Sequence, residues 1–174
     1  MVQEDSRHRI LQEFFDFPRK DFQMREISRR TKISNHSALI YLKKLAGEGL
    51  IMKEKKGTYF SYRANRDNEM FRFYKKMSLL MRIKECSLLD YVYDLCTPDS
   101  IILFGSASKG EDIEESDIDI FVQAKEKKLN LDKYEGILNR KITLFFKEDF
   151  SKLPNELKNN ILNGNLLKGY IKVF

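Results

Sequence analysis

Gly105-Ser106, the ten residues 107–116, and the triplet Asp117-Ile118-Asp119 restrict this chain more than any other feature. They sit in IILFGSASKGEDIEESDIDIFV, residues 101–122. An apolar run leads into the Gly-Ser, and an alternating acidic and apolar run carries the two aspartates. Residues two apart on a strand share a face. Asp117 and Asp119 are therefore expected to project together, with Ile118 and Ile120 pointing into the core. Two carboxylates downstream of a small-residue turn suit Mg²⁺ and a nucleoside triphosphate. Mg²⁺ takes one or two carboxylates plus phosphate oxygens, and phosphoryl-type transfer uses that clamp. Both aspartates are thus candidate metal ligands and catalytic residues.

The spaced combination resembles the minimal nucleotidyltransferases of the DNA polymerase β superfamily. Their pattern is Gly-Ser, a spacer of this length, then Asp-x-Asp. Gly110, four residues after Ser106, and Ser116, directly before Asp117, match the finer pattern. The resemblance covers about Tyr91 to the C-terminus. It implies a small α/β domain with a mixed sheet. In it Gly105 lets the backbone approach the triphosphate, and Ser106 with its amide contacts phosphate oxygens. Lys109, Gly110 and Ser116 complete the implied nucleotide-binding set. Ser106 is expected to open a short helix whose N-terminal amides hold phosphate.

The superfamily carries a third acidic residue on a later strand. Here the matching run is KITLFFK, residues 141–147, and the expected acidic position holds Thr143. A threonine hydroxyl is a poor Mg²⁺ ligand beside a carboxylate and no strong general base. Asp149 falls past the strand end. The resemblance therefore implies nucleotide binding with weak or absent transfer.

Charge divides the chain. Residues 1–66 hold 15 Lys+Arg against 8 Asp+Glu, or +7, while the whole chain is +6. That asymmetry suggests a polyanion-binding module joined to something else. No apolar run approaches the ~18 residues of a membrane helix, and MVQEDSRHRI lacks the apolar core of a signal peptide. No membrane association is expected, and a cytoplasmic setting fits. Cys86 and Cys96, with only His8 and His36 besides, make no zinc-type cluster and read as free buried thiols.

The first third alternates helical and hairpin signals. HRILQEFFDF (8–17) has apolar residues at helical spacing, and Pro18 ends it. A second helix is expected from about Phe22 to Arg30, with Met24 and Ile27 inward and Arg25, Arg29 and Arg30 outward. Ser34 reads as the N-cap of a third helix running to about Gly47, with Ala38, Leu42 and Leu45 inward and Gly49 stopping it. Runs 50–54 and 58–63 read as a hairpin around Lys55-Lys56-Gly57.

This order resembles the winged helix-turn-helix domain of transcription regulators over about residues 6–66. The third helix would then be the recognition helix. Its start, Ser34, Asn35, His36 and Ser37, would face the major groove with Tyr41 a turn later. Asn35 would pair with an adenine edge. Lys43, Lys44, Lys53, Lys55, Lys56 and Arg63 would contact phosphates. RNA binding or protein contact remain alternatives for such a module.

Residues 67–97 contain neither Gly nor Pro and read as one long helix or two abutting ones. Their apolar positions exceed one face, so both sides are expected to bury something. The second half is expected to pack on the C-terminal sheet, and the first half offers a homodimer seam. Beyond it come expected strands Ile101–Phe104, Asp117–Gln123 and Lys141–Lys147. A helix is expected over Asp132–Leu138, and another over Glu148–Leu162, interrupted near Pro154. The tail NNILNGNLLKGYIKVF resembles the closing segment of minimal nucleotidyltransferases.

The whole reads as an α+β protein in three parts. Residues 1–66 form a winged helix-turn-helix, 67–97 a helical connector, and 98–174 a nucleotidyltransferase-like domain. The expected function is a DNA-binding regulator that binds Mg²⁺ and a nucleoside triphosphate. The alternative is an active nucleotidyltransferase that acts on a protein, small-molecule or RNA acceptor. A toxin–antitoxin-type partnership with a second protein belongs to that alternative.

Overall fold

Two phenylalanines organise the first unit. Phe14 and Phe22 are fully buried, and their rings meet edge-on at 5.3 Å. Phe14 lies on helix α1 (Ser6–Asp16), with Ile10, Leu11 and Phe15 also inward. Phe22 lies on a short strand, β1 (Phe22–Gln23), rather than in the second helix as its sequence suggests. Burying a Phe side chain gains about 1.5–3 kcal/mol, whereas helix propensity shifts only tenths of a kcal/mol per residue. Burial wins, and α2 begins at Met24 (Met24–Thr31). Ile27 is buried and Met24 half-buried, while Arg25, Arg29 and Arg30 stay outward.

Helix α3 (Asn35–Gly47) starts at the predicted cap: Ser34 accepts the Ser37 N–H at 3.1 Å. Ala38, Leu42 and Leu45 are fully buried, and Gly49 turns the chain at φ 73°. Strands β2 (Ile51–Lys56) and β3 (Tyr59–Ala64) follow as an antiparallel hairpin. The turn is Gly57-Thr58, with Gly57 at φ 62°, so Lys55 and Lys56 belong to the strand and not to the turn. The sheet order is β1-β3-β2.

This computed structural model describes residues 6–171; the ends of the two terminal segments read above lie outside them. The chain divides into units Met1–Lys75 and Lys76–Phe174. The division falls inside α4 (Glu69–Glu85), so the segment read as a connector is shared between the units. Of the two readings left open for it, two abutting helices is the observed one. Ser87, in the left-handed region at φ 62°, separates α4 from α5 (Leu88–Cys96). Phe71 joins the first core, whereas Ile83, Leu88 and Val92 join the second. Met70, Phe73, Tyr74, Met77 and Met81 of α4 are exposed in the single chain. Cys86 and Cys96 are half-buried rather than buried.

The second unit is built on strands β4 (Ser100–Phe104), β5 (Ile118–Val122), β6 (Ile142–Phe146) and β7 (Asn165–Gly169). Their order is β6-β5-β4-β7, with β5 parallel to β6 and the other pairs antiparallel. The sheet is mixed, as expected. Helix α6 (Asp132–Leu138) matches its predicted bounds. The last expected helix splits: one 3-10 turn at Phe150–Lys152, then α7 (Asn155–Leu162) with Pro154 just before it. Pro154 fits there because a proline has no N–H to offer the helix interior. Gly164 then packs so closely that a Cβ would lie 2.4 Å from the Leu103 carbonyl oxygen. That contact starts β7 against β4.

Candidate functional site

Strand β5 positions the two aspartates through its own core contacts. Ile118 and Ile120 are 1% exposed and point inward. Asp119 between them faces the other way, and Asp117 precedes the strand by one residue. Asp119 pairs in register with Phe104 of β4 on one side and with Thr143 of β6 on the other. The parallel register thus sets Thr143 beside Asp119. Its hydroxyl donates to Asp117 Oδ2 at 3.1 Å.

Gly105 ends β4 at φ 70°, and a Cβ there would come within 2.5 Å of Asp119 Oδ2. The Asp119 carboxylate therefore lies over the Gly105 backbone. Any side chain at 105 would both strain the turn and displace that carboxylate. From here the chain tightens into one 3-10 turn, Ala107–Lys109, at the place of the short helix expected to open at Ser106. Its hydrogen bonds close on themselves. The Ser106 carbonyl accepts from the Lys109 and Glu111 amides, each at 3.1 Å. Ser108 Oγ donates to the Gly105 carbonyl at 2.7 Å, and Asn165 Nδ2 donates to the Ser108 carbonyl at 2.9 Å. Gly110 closes the turn at φ 72°. Ser106 Oγ makes no capping bond, and Lys109 is exposed.

Ser116 is occupied within its own loop. Its Oγ accepts the Ile113 N–H at 2.9 Å, so it shapes the approach to Asp117. Asp149 is committed elsewhere: it accepts the Ser151 N–H at 2.9 Å and the Ser151 hydroxyl at 2.6 Å. Those hydrogen bonds hold its carboxyl below the ordinary range. Among the described residues no third His, Cys, Asp or Glu joins Asp117 and Asp119.

Burial pushes the Asp119 carboxyl above its ordinary 3.8, and the Asp117 charge pushes it the same way. Two crowded carboxylates, one partly desolvated, form a donor set that a divalent cation relieves. The set fits one Mg²⁺ completed by phosphate oxygens.

The residues predicted for nucleic acid lie on the first unit. Ser34, Asn35 and His36 are exposed at the start of α3, with Ser37 half-buried. Tyr41 differs from its predicted groove-facing place: it is half-buried and packs on the first core. Lys43, Lys44, Lys53 and Lys55 are exposed. Lys53 lies over the Phe60 ring at 3.9 Å. Lys56 pairs with Asp21 at 2.6 Å and Arg63 with Glu54 at 3.2 Å, which lowers their availability for phosphate.

Asn165, Asp112 and Arg140 are site-shaping residues that sequence reading passed over. Asp112 lies inside the ten-residue spacer, and Arg140 directly precedes the KITLFFK run. A charge placed just before an apolar strand is the only signal Arg140 gives, and Asp112 gives none.

Residues 87–170 match the family model described as Polymerase beta, Nucleotidyltransferase. The chain therefore carries a nucleotidyltransferase-like domain over that stretch. No curated protein and no solved structure matches the chain.

Mg²⁺ affinity is expected to rise with pH as Asp119, whose carboxyl burial pushes upward, ionises, and then to level off. Asp117→Asn removes the neighbouring charge and should lower the Asp119 pKa. Carbonyl-carbon NMR titration of Asp119 in both proteins checks this; an unchanged Asp119 titration would refute the coupling.

Proposed function

We propose that the chain is a DNA-binding regulator whose C-terminal domain binds Mg²⁺ with a nucleoside triphosphate and transfers weakly or not at all. The observation that carries this reading is the register of Asp119 with Thr143, together with the 3.1 Å bond from Thr143 to Asp117. The hydroxyl occupies the expected third-carboxylate position and supplies neither a metal charge nor a base. Asp117 and Asp119 would hold Mg²⁺. The ion, when bound, neutralises phosphate charge. Gly105 lets the Asp119 carboxylate lie over the turn, and Ser106 with Lys109 would offer the triphosphate hydrogen bonds and charge.

The DNA-binding half is supported by the +7 balance of residues 1–66 and by the helix–helix–hairpin order. The exposed start of α3 would enter the major groove. Lys43, Lys44, Lys53 and Lys55 would meet phosphates. A homodimer would pair two half-sites, with the exposed apolar residues of α4 as its seam. No described helix is long and apolar enough to cross a membrane, and the reading sets the protein in the cytoplasm.

The second reading, an active enzyme that modifies a protein, small molecule or RNA end, is favoured by one observation. Both metal-binding carboxylates and the close Gly105 approach are intact. The two readings part at Thr143. Thr143→Asp should raise nucleotidyl transfer from labelled triphosphate by about 10²-fold or more, the scale of a restored general base. Without metal it should also lower the Tm, because a third carboxylate joins two. Strong turnover by the unaltered chain, with no gain in the variant, would favour the second reading.

Lys44→Gln/Lys53→Gln/Lys55→Gln should weaken binding to all DNA duplexes alike. The slope of log affinity against log salt should fall by about 0.9 for each phosphate no longer neutralised. An inverted-repeat duplex should titrate at two chains per duplex. Unchanged salt dependence would remove the DNA reading, and one chain per duplex would remove the dimer.

A further inference from the structure

A buried ion pair beside Asp117 lies outside the nucleotide-binding pattern. Arg140 Nη1 donates to Asp112 Oδ2 at 2.7 Å and to the Ser116 carbonyl at 3.5 Å. The two side chains are 8% and 6% exposed. On the other side of Asp117, the Ile118 N–H donates to the Lys141 carbonyl at 2.8 Å. Consecutive residues 140 and 141 thus grip the backbone on both sides of the first metal-binding aspartate.

The grip is itself anchored. The Arg140 N–H donates to the Glu135 carbonyl at 3.3 Å, and Glu135 Oε1 accepts the Ile142 N–H at 2.9 Å. Asn139, at φ 54°, ends α6 and turns the chain into this segment. The spacer loop is tied down as well. The Ser116 N–H donates to the Ile113 carbonyl at 3.0 Å, and Ser116 Oγ accepts back from Ile113. Asp112 enters that loop one residue before Ile113. Movement of the guanidinium therefore moves Asp112, the Ile113–Ser116 turn and Asp117 together.

We infer that Arg140 and Asp112 are positioning residues for the metal pair, fixing Asp117 at the distance from Asp119 that one divalent ion requires. A buried ion pair contributes little net stability compared with a packed apolar pair, because desolvation offsets its Coulomb attraction. Its value here is geometric. It extends the reading above to the control of that same site, on which its binding arm rests.

The test compares full-length wild type, Arg140→Met, and Arg140→Met/Asp112→Leu. The single variant leaves a carboxylate buried without its guanidinium and should lower the Tm sharply. The double variant should regain the Tm, because both charges are gone. It should still bind Mg²⁺–triphosphate at least about tenfold more weakly, as outer-shell losses do. Amide hydrogen exchange at Ser116 and Ile118 should rise about tenfold or more, while Leu103 and Ile120 in the ladder stay protected. A folded double variant with wild-type affinity or wild-type exchange at Ser116 and Ile118 overturns the inference. If the double variant does not fold, Arg140→Lys keeps a charge opposite Asp112 but loses the planar fork, and the same loosening is expected. If wild type binds no triphosphate, the nucleotide reading fails, and the exchange measurement still decides the role of the pair.

Discussion

Asp119 lies between Phe104 and Thr143 on neighbouring strands, and this register governs the candidate site. A slip of one residue turns every side chain to the opposite face. Ile118 and Ile120 would leave the core, and both aspartates would enter it. Burying each isoleucine stabilises the observed register by about 1.5–3 kcal/mol, and an unpaired buried carboxylate would cost several more. The carboxylates are thus held outward by the apolar residues between them. Gly105 completes the constraint by giving up the space that Asp119 fills.

Holding two carboxylates this close works against the fold in the absence of a cation. Burial, and after it the Asp117 charge, raise the Asp119 pKa. For linkage, a carboxyl raised in the native state adds stability at low pH, and that contribution is lost as pH rises through the folded pKa. The same crowding makes a divalent ion favourable. In the first unit the charge problem is reversed. Lysines gather on α3 and the hairpin, and Lys56 and Arg63 already have acidic neighbours. Positive charge is thus concentrated in the first unit, while the second crowds two carboxylates at one end of its sheet.

What could be read from sequence was what local chemistry decides. Alternation fixed the faces of Asp117, Ile118, Asp119 and Ile120, and Ser34 announced the start of α3. Thr143 could be singled out because a strand of known pattern leaves one position for the missing acid. Features that depend on distant partners were not legible. Phe22 reads as helical until Tyr62 of β3 pairs with it. Tyr41 reads as groove-facing until its ring finds the first core. Strand β7 has no clean alternation, and it forms because Gly164 admits it beside Leu103. Asp112 and Arg140 are separated by 28 residues, and neither names its partner.

The most direct test of the central claim is titration calorimetry of the full chain with each Mg²⁺–nucleoside triphosphate, beside Asp117→Asn/Asp119→Asn. The account predicts saturable binding of at least one triphosphate by wild type, abolished in the variant and abolished in wild type when Mg²⁺ is chelated. Equal binding by both proteins, or none by wild type, would contradict it.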